Sequence, residues 1–134
     1  MNPTVIELPA HELKAALTGL GKVINRHSSL PVLTHVRVTR DSDNKVSLEA
    51  TDLDSTAIYQ AEQVNPGSPA SFLVPYAPLN QLVKGSKAPV QLIAEDQQVR
   101  LRTFIGTSPM EQSFAALPVD EFPPTPKEIG RAHV

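Results

Sequence analysis

Five bases, Lys14, Lys22, Arg26, Arg37 and Arg40, lie between Leu13 and Arg40 with no Asp or Glu among them. The next segment, Asp41 to Glu62, reverses this, with six acids and one base, Lys45. A second acid-free run, Gln63 to Ala94, holds Lys84 and Lys87. The formal net charge is only -2. A nearly neutral chain that separates its signs this way presents one face to an anion. For any single lysine, a solvated surface position is the plainer account. The acid-free set is what favours an anion-facing surface.

The other reactive side chains point away from catalysis. Asp52 and Asp54 flank a tight turn, and no calcium loop with its glycine and distal Glu surrounds them, so turn capping explains them. His11, His27, His35 and His133 have no metal-ligand spacing and read as surface histidines. Ser28 and Ser29 stand beside His27, but no orienting acid is local. Phosphate loops, nucleophile elbows and dinucleotide fingerprints are missing. With no Cys, there is no disulfide frame, thiolate metal site or Cys nucleophile. The expectation is a non-enzyme without cofactor or metal.

The elements that must carry the cations follow from periodicity. Thr4 to Leu8 reads as a strand, and Pro9 suits the first position of a helix. Leu13, Leu17, Leu20 and Ile24 make one apolar stripe, with Lys14, Thr18 and Lys22 on the wet stripe beside it. Gly19 and Gly21 weaken the last turns, so fraying is expected near Lys22. Asn25 to Ser29 is a polar loop, and the chain re-enters extended geometry at Leu30-Pro31-Val32-Leu33. Strands follow at His35 to Arg40, Val46 to Thr51, Ser55 to Gln63 and Ser71 to Val74. Pro75 to Lys84 is a second helix, burying Leu79, Leu82 and Val83 and wetting Asn80 and Lys84, with Gly85 as its stop. Strands around Val90 to Ala94, Val99 to Leu101 and Met110 to Ala115 complete the pattern. The Pro-rich run Leu117 to Pro126 reads as an extended linker.

The order is a strand, a helix and three strands, given twice. It specifies an α+β domain with both helices on one face of a continuous antiparallel layer. At 134 residues the chain is one domain, or one domain and a tail. No apolar run reaches membrane-spanning length and no signal-peptide core opens the chain, so a cytoplasmic protein without membrane contact is expected. Few aromatics and no Trp argue against stacking platforms for single strands.

In this frame several runs look familiar. They are Leu30-Pro31-Val32-Leu33, Leu48-Glu49-Ala50-Thr51-Asp52-Leu53-Asp54, Val74-Pro75 opening a helix that ends Lys84-Gly85, and Phe114-Ala115-Ala116-Leu117-Pro118-Val119-Asp120-Glu121-Phe122-Pro123. In this order and spacing they resemble the first domain of the bacterial sliding-clamp family, the beta subunit of DNA polymerase III. The resemblance spans about Thr4 to Pro124. It implies a domain over 1–124 and a linker or truncated tail over 125–134.

The resemblance further implies helices lining a hole, sheets outside, and a closed ring around duplex DNA with no catalytic residue. Family rings hold six such domains, three per chain in two chains. This chain holds one, and so is either an excised first domain or a reduced relative. DNA polymerase III and the clamp loader would be gripped through domains not present here. Edge strands would join other clamp domains, or the chain to itself. Clamps commonly carry a DNA-touching Arg in the loop after the first helix. His27 aligns with it and Arg26 is its neighbour. Clamps often place bases in the first turn of the second helix, where this chain has Ala77 and Pro78. The DNA contacts so implied are Lys14, Lys22, Arg26, His27 and Lys84, whereas Arg37 and Arg40 read as outer-sheet or turn residues. The alternative is a single-domain module that pairs its sheet edges and does not bind DNA.

Overall fold

A computed structural model describes residues 3–25, 27–61 and 65–123. The chain runs β1 (Thr4–Leu8), α1 (Ala10–Leu20), β2 (His35–Arg40), β3 (Val46–Thr51), β4 (Thr56–Ala61), β5 (Ala70–Pro75), α2 (Tyr76–Lys84), β6 (Val90–Ala94), β7 (Gln98–Ile105) and β8 (Ser108–Ala115). All pairings are antiparallel.

The sheet is divided. One four-stranded sheet has the order β1-β6-β7-β8 and the other β4-β3-β2-β5. The expected single continuous layer is therefore corrected to two sheets. Each sheet takes three strands from one half of the chain and the leading strand of the other half. The halves are interlocked, and neither completes its sheet alone.

The expected apolar stripes are buried. Leu13, Leu17 and Leu20 of α1 and Leu79, Leu82 and Val83 of α2 join Ile6, Leu8, Val36, Val38, Leu48, Leu92 and Leu101 in one core. The helices pack on each other, and α1 also touches β3 and β4. Pro9 caps α1 from outside in extended geometry, so the helix begins one residue later than expected. Ile24 lies past the end of α1 but still packs on the core.

The seam between the sheets is closed by side chains. The Asn65 carboxamide accepts from Glu7 N–H at 2.7 Å and donates to Val5 C=O at 2.8 Å. One residue of a parallel strand beside Ile6 would make this same pair of bonds. Arg40 reinforces it, donating to the carbonyls of Ser68 (2.9 Å), Val5 (3.2 Å) and Asn65 (3.5 Å). Only 4% of Arg40 is exposed. The expectation that Arg40 is an outer or turn residue is thus overturned, because its alternation places it inward with Val36 and Val38. Arg37 does lie outward, paired with Glu49.

Two extended segments are also corrected. Leu30 is extended, as the following proline requires, but Pro31–Thr34 forms a 3-10 turn. The run from Leu117 is not linker up to Phe122. Val119–Glu121 is a second 3-10 turn, and Phe122, 3% exposed, packs with Val32, Leu33 and Leu73 in a small outer core. The Arg37 guanidinium lies 5.0 Å from the Phe122 ring centroid, a cation–π distance. The expected tail, 125–134, lies outside the described residues, as do Gln63 and Arg26.

Candidate nucleic-acid interface

Lys14 projects exposed from α1, and Thr18, one turn on, donates its hydroxyl to the Lys14 carbonyl at 2.9 Å. Lys22 is exposed in the turn that follows α1. Lys84, also exposed, is the last residue of α2, where the helix dipole favours a cation. Helices α1 and α2 pack together, so Lys14 and Lys84 belong to one helical layer, with Lys22 in the turn that leaves it. His27 is exposed in the loop after α1, its N–H held by Asn25 Oδ1 at 3.0 Å. Arg26 is not among the described residues.

These lysines are not spent within the fold. Among the described residues every ion pair uses Arg37 or Arg100, both on strands. Their acid partners, Glu49, Glu95 and Glu111, all lie on or beside the sheets. Long flexible ammonium groups on helices suit phosphate oxygens and carry no base readout.

Sequence patterns did not disclose what sets the spacing of this layer. Tyr76, at the start of α2, is buried and reaches the backbone of α1. Gly21 leaves the room for it, since a Cβ there would fall 2.3 Å from the Tyr76 hydroxyl. A lone Tyr after Pro75 gave no signal of this long-range contact.

His35 also departs from the surface reading. It is half-buried, and its Nδ1 donates to the Pro31 carbonyl at 2.9 Å, a bond that requires the proton on Nδ1. Burial lowers its pKa below the ordinary value, with the Pro31 bond acting weakly the other way.

A hollow of about 850 Å³ lies at the seam beside Thr4, Ser71, Phe72, Glu95, Asp96 and Leu117. Its Glu95 is held by Arg100 at 3.2 Å and Gln98 at 2.8 Å. Among the described residues no His, Cys, Asp and Glu cluster could hold a metal. Asp52 serves its turn, accepting from the N–H groups of Asp54 and Ser55.

Residues 6–126 match the family model described as the DNA polymerase III beta subunit, N-terminal domain. The chain belongs to that family. Solved sliding clamps share the fold of this domain. The beta subunit from Pseudomonas aeruginosa superposes with a TM-score of 0.79 at 21% identity, over 92% of this chain and 33% of that one. The clamp from Caulobacter crescentus gives 0.75 at 22%, over 93% and 33%. The clamp from Bacillus subtilis gives 0.76 at 20%, over 92% and 33%. The chain thus spans about a third of the length of these clamps. No curated protein matches it. Among the described residues no helix is long and apolar enough to cross a membrane.

Proposed function

We propose that this domain, over residues 1–124, is one segment of a cytoplasmic ring that encircles duplex DNA and tethers a replicative polymerase without catalysis. Lys14, Lys22, Arg26, His27 and Lys84 are its DNA contacts. The observation that carries this reading is the unpaired lysine set on the packed helical layer of a sliding-clamp domain. Contacts of this kind hold the phosphate backbone weakly and at any sequence, as sliding demands. DNA polymerase III and the clamp loader would act through other domains of the ring.

Ring closure falls to the outer edges. The free edge of one sheet is β8, whose residues are exposed except for half-buried Phe114, and the free edge of the other is β4. Phe104, Ile105 and Met110 at the β7–β8 hairpin are exposed apolar side chains beside that edge. They would be covered by a neighbouring clamp domain. The same exposed edge supports the second reading, a module that pairs with itself or a clamp and ignores DNA.

Replacing Lys14, Lys22 and Arg26 with Glu separates the two. The DNA reading expects lost retention on circular DNA, with melting temperature and ring size unchanged by light scattering. Unchanged retention would remove these contacts from the account and favour the edge-pairing module.

A further inference from the structure

The inward stripe of α2 runs on past the last helical residue. Leu79, Leu82 and Val83 are buried, and Ser86, 1% exposed, continues them at helical spacing. Ser86 N–H reaches the Val83 carbonyl at 3.1 Å, so the chain keeps turning beyond Lys84. The outward side extends in the same way. Lys87 comes three residues after Lys84, the spacing of neighbours on one face of a helical turn. Both lysines are exposed, and neither takes part in an ion pair among the described residues.

The loop that carries Lys87 is strapped to β7. The hydroxyls of Ser86 and Thr103 lie 2.7 Å apart, and both residues are buried. Thr103 donates to the Pro89 carbonyl at 3.0 Å, and Ser86 Oγ accepts the Ala88 N–H at 3.1 Å. With the Thr103 proton so committed, Ser86 donates to Thr103. A buried serine bonded on each side is no nucleophile. It is a clasp, and it holds the backbone on both sides of Lys87. A cation on a loop held this way has less freedom to lose when it meets a ligand.

Two ligands compete for the assignment. Lys87 borders a hollow of about 520 Å³ with Gly85, Phe104 and Gly106, so a carboxylate from a neighbouring domain beside the hairpin is one. The company of Lys84 favours the other, a phosphate. Two cations share one side of the chain, and no acid occurs from Gln63 to Ala94 to divert them.

We propose that Lys87 is a further phosphate contact of this domain, acting with Lys84, and that the Ser86–Thr103 clasp positions it. Ser86 and Thr103 are positioning residues and touch no DNA. This inference rests on the DNA-encircling reading.

The test measures equilibrium binding of the native protein to a short labelled duplex across a salt series. Lys87→Gln should weaken binding several-fold at low salt. It should also lower the slope of log affinity against log salt by about 0.9 per copy of the domain. Lys45→Gln removes the same charge from the exposed β2–β3 turn and should change neither quantity. Melting temperature and ring mass by light scattering should hold in both variants. A wild-type slope for Lys87→Gln, or equal losses for the two variants, would overturn the contact. So would a fall in ring mass at unchanged slope, which would give Lys87 to the neighbouring carboxylate. For the clasp, the effect of Lys87→Gln should shrink to about half or less in a Ser86→Ala background. Thr103→Val should act alike, both being read well below their melting midpoints. A full Lys87→Gln effect in both backgrounds would overturn the positioning role. Wild-type protein with equal lifetimes on circular and linearised DNA would instead overturn the encircling reading on which the contact rests.

Discussion

Tyr76, the first residue of α2, donates its hydroxyl to the backbone carbonyl of Leu17 in α1 at 3.1 Å. This buried bond fixes how the two helices lie together, and so where their lysines stand. The hydroxyl sits where a side chain at Gly21 would be. Gly21→Ala should therefore destabilise the domain by about 1–3 kcal/mol, because the Tyr76 hydroxyl must leave its buried acceptor. Tyr76→Phe should cost about 1 kcal/mol. Gly19, with nothing within 4 Å of its virtual Cβ, behaves oppositely. Gly19→Ala should stabilise the domain by about 1 kcal/mol through helix propensity alone. Urea midpoints of the three variants check these signs.

Phe122 closes the outer core, so Phe122→Ala should cost about 3–5 kcal/mol. Limited proteolysis should then cut between Ala116 and Pro123 faster than in the wild type, where Phe122 anchors the stretch. Equal cutting of both proteins would mean that the segment does not hold to the sheet.

The fold was largely legible because period-2 and period-3.6 patterns survive wherever one face meets one core. Val36 and Val38 alternate with Arg37, and Leu13, Leu17 and Leu20 share a stripe, and each landed as expected. The failures share a cause. Arg40, Asn65 and Phe122 take their roles from partners far along the chain, and composition describes only local neighbours. A proline-rich run looks like linker until a small apolar patch on Val32, Leu33 and Leu73 is there to receive it. The lysines were visible as an acid-free run, whereas their common layer needed the helix pairing.

Asn65 and Gly67 seal the seam. Asn65→Ala strips Val5 C=O and Glu7 N–H of their partners and should cost about 1–3 kcal/mol. Hydrogen exchange at the Glu7 amide should accelerate more than at the amides β1 shares with β6. A Cβ at Gly67 would lie 2.1 Å from the Arg40 guanidinium, so Gly67→Ala should also speed exchange at Glu7 by displacing Arg40.

His35 makes stability pH-dependent. Its folded pKa lies below the ordinary 6.5, chiefly because burial disfavours the imidazolium. The unfolded chain therefore binds more protons as pH falls through that value. The His35 contribution is complete above it and is lost as pH drops toward the folded pKa. Urea midpoints should fall between about pH 7 and about pH 5, and His35→Gln should flatten the fall. An unchanged slope in the variant would assign the effect to other groups.

Topological enclosure separates a ring from any surface that merely attracts phosphate. The direct measurement loads the native protein onto nicked circular DNA and follows its dissociation before and after the circle is cut. Enclosure predicts long retention on the circle and rapid loss from the linear product at the same salt. Equal lifetimes on circle and linear DNA would contradict it.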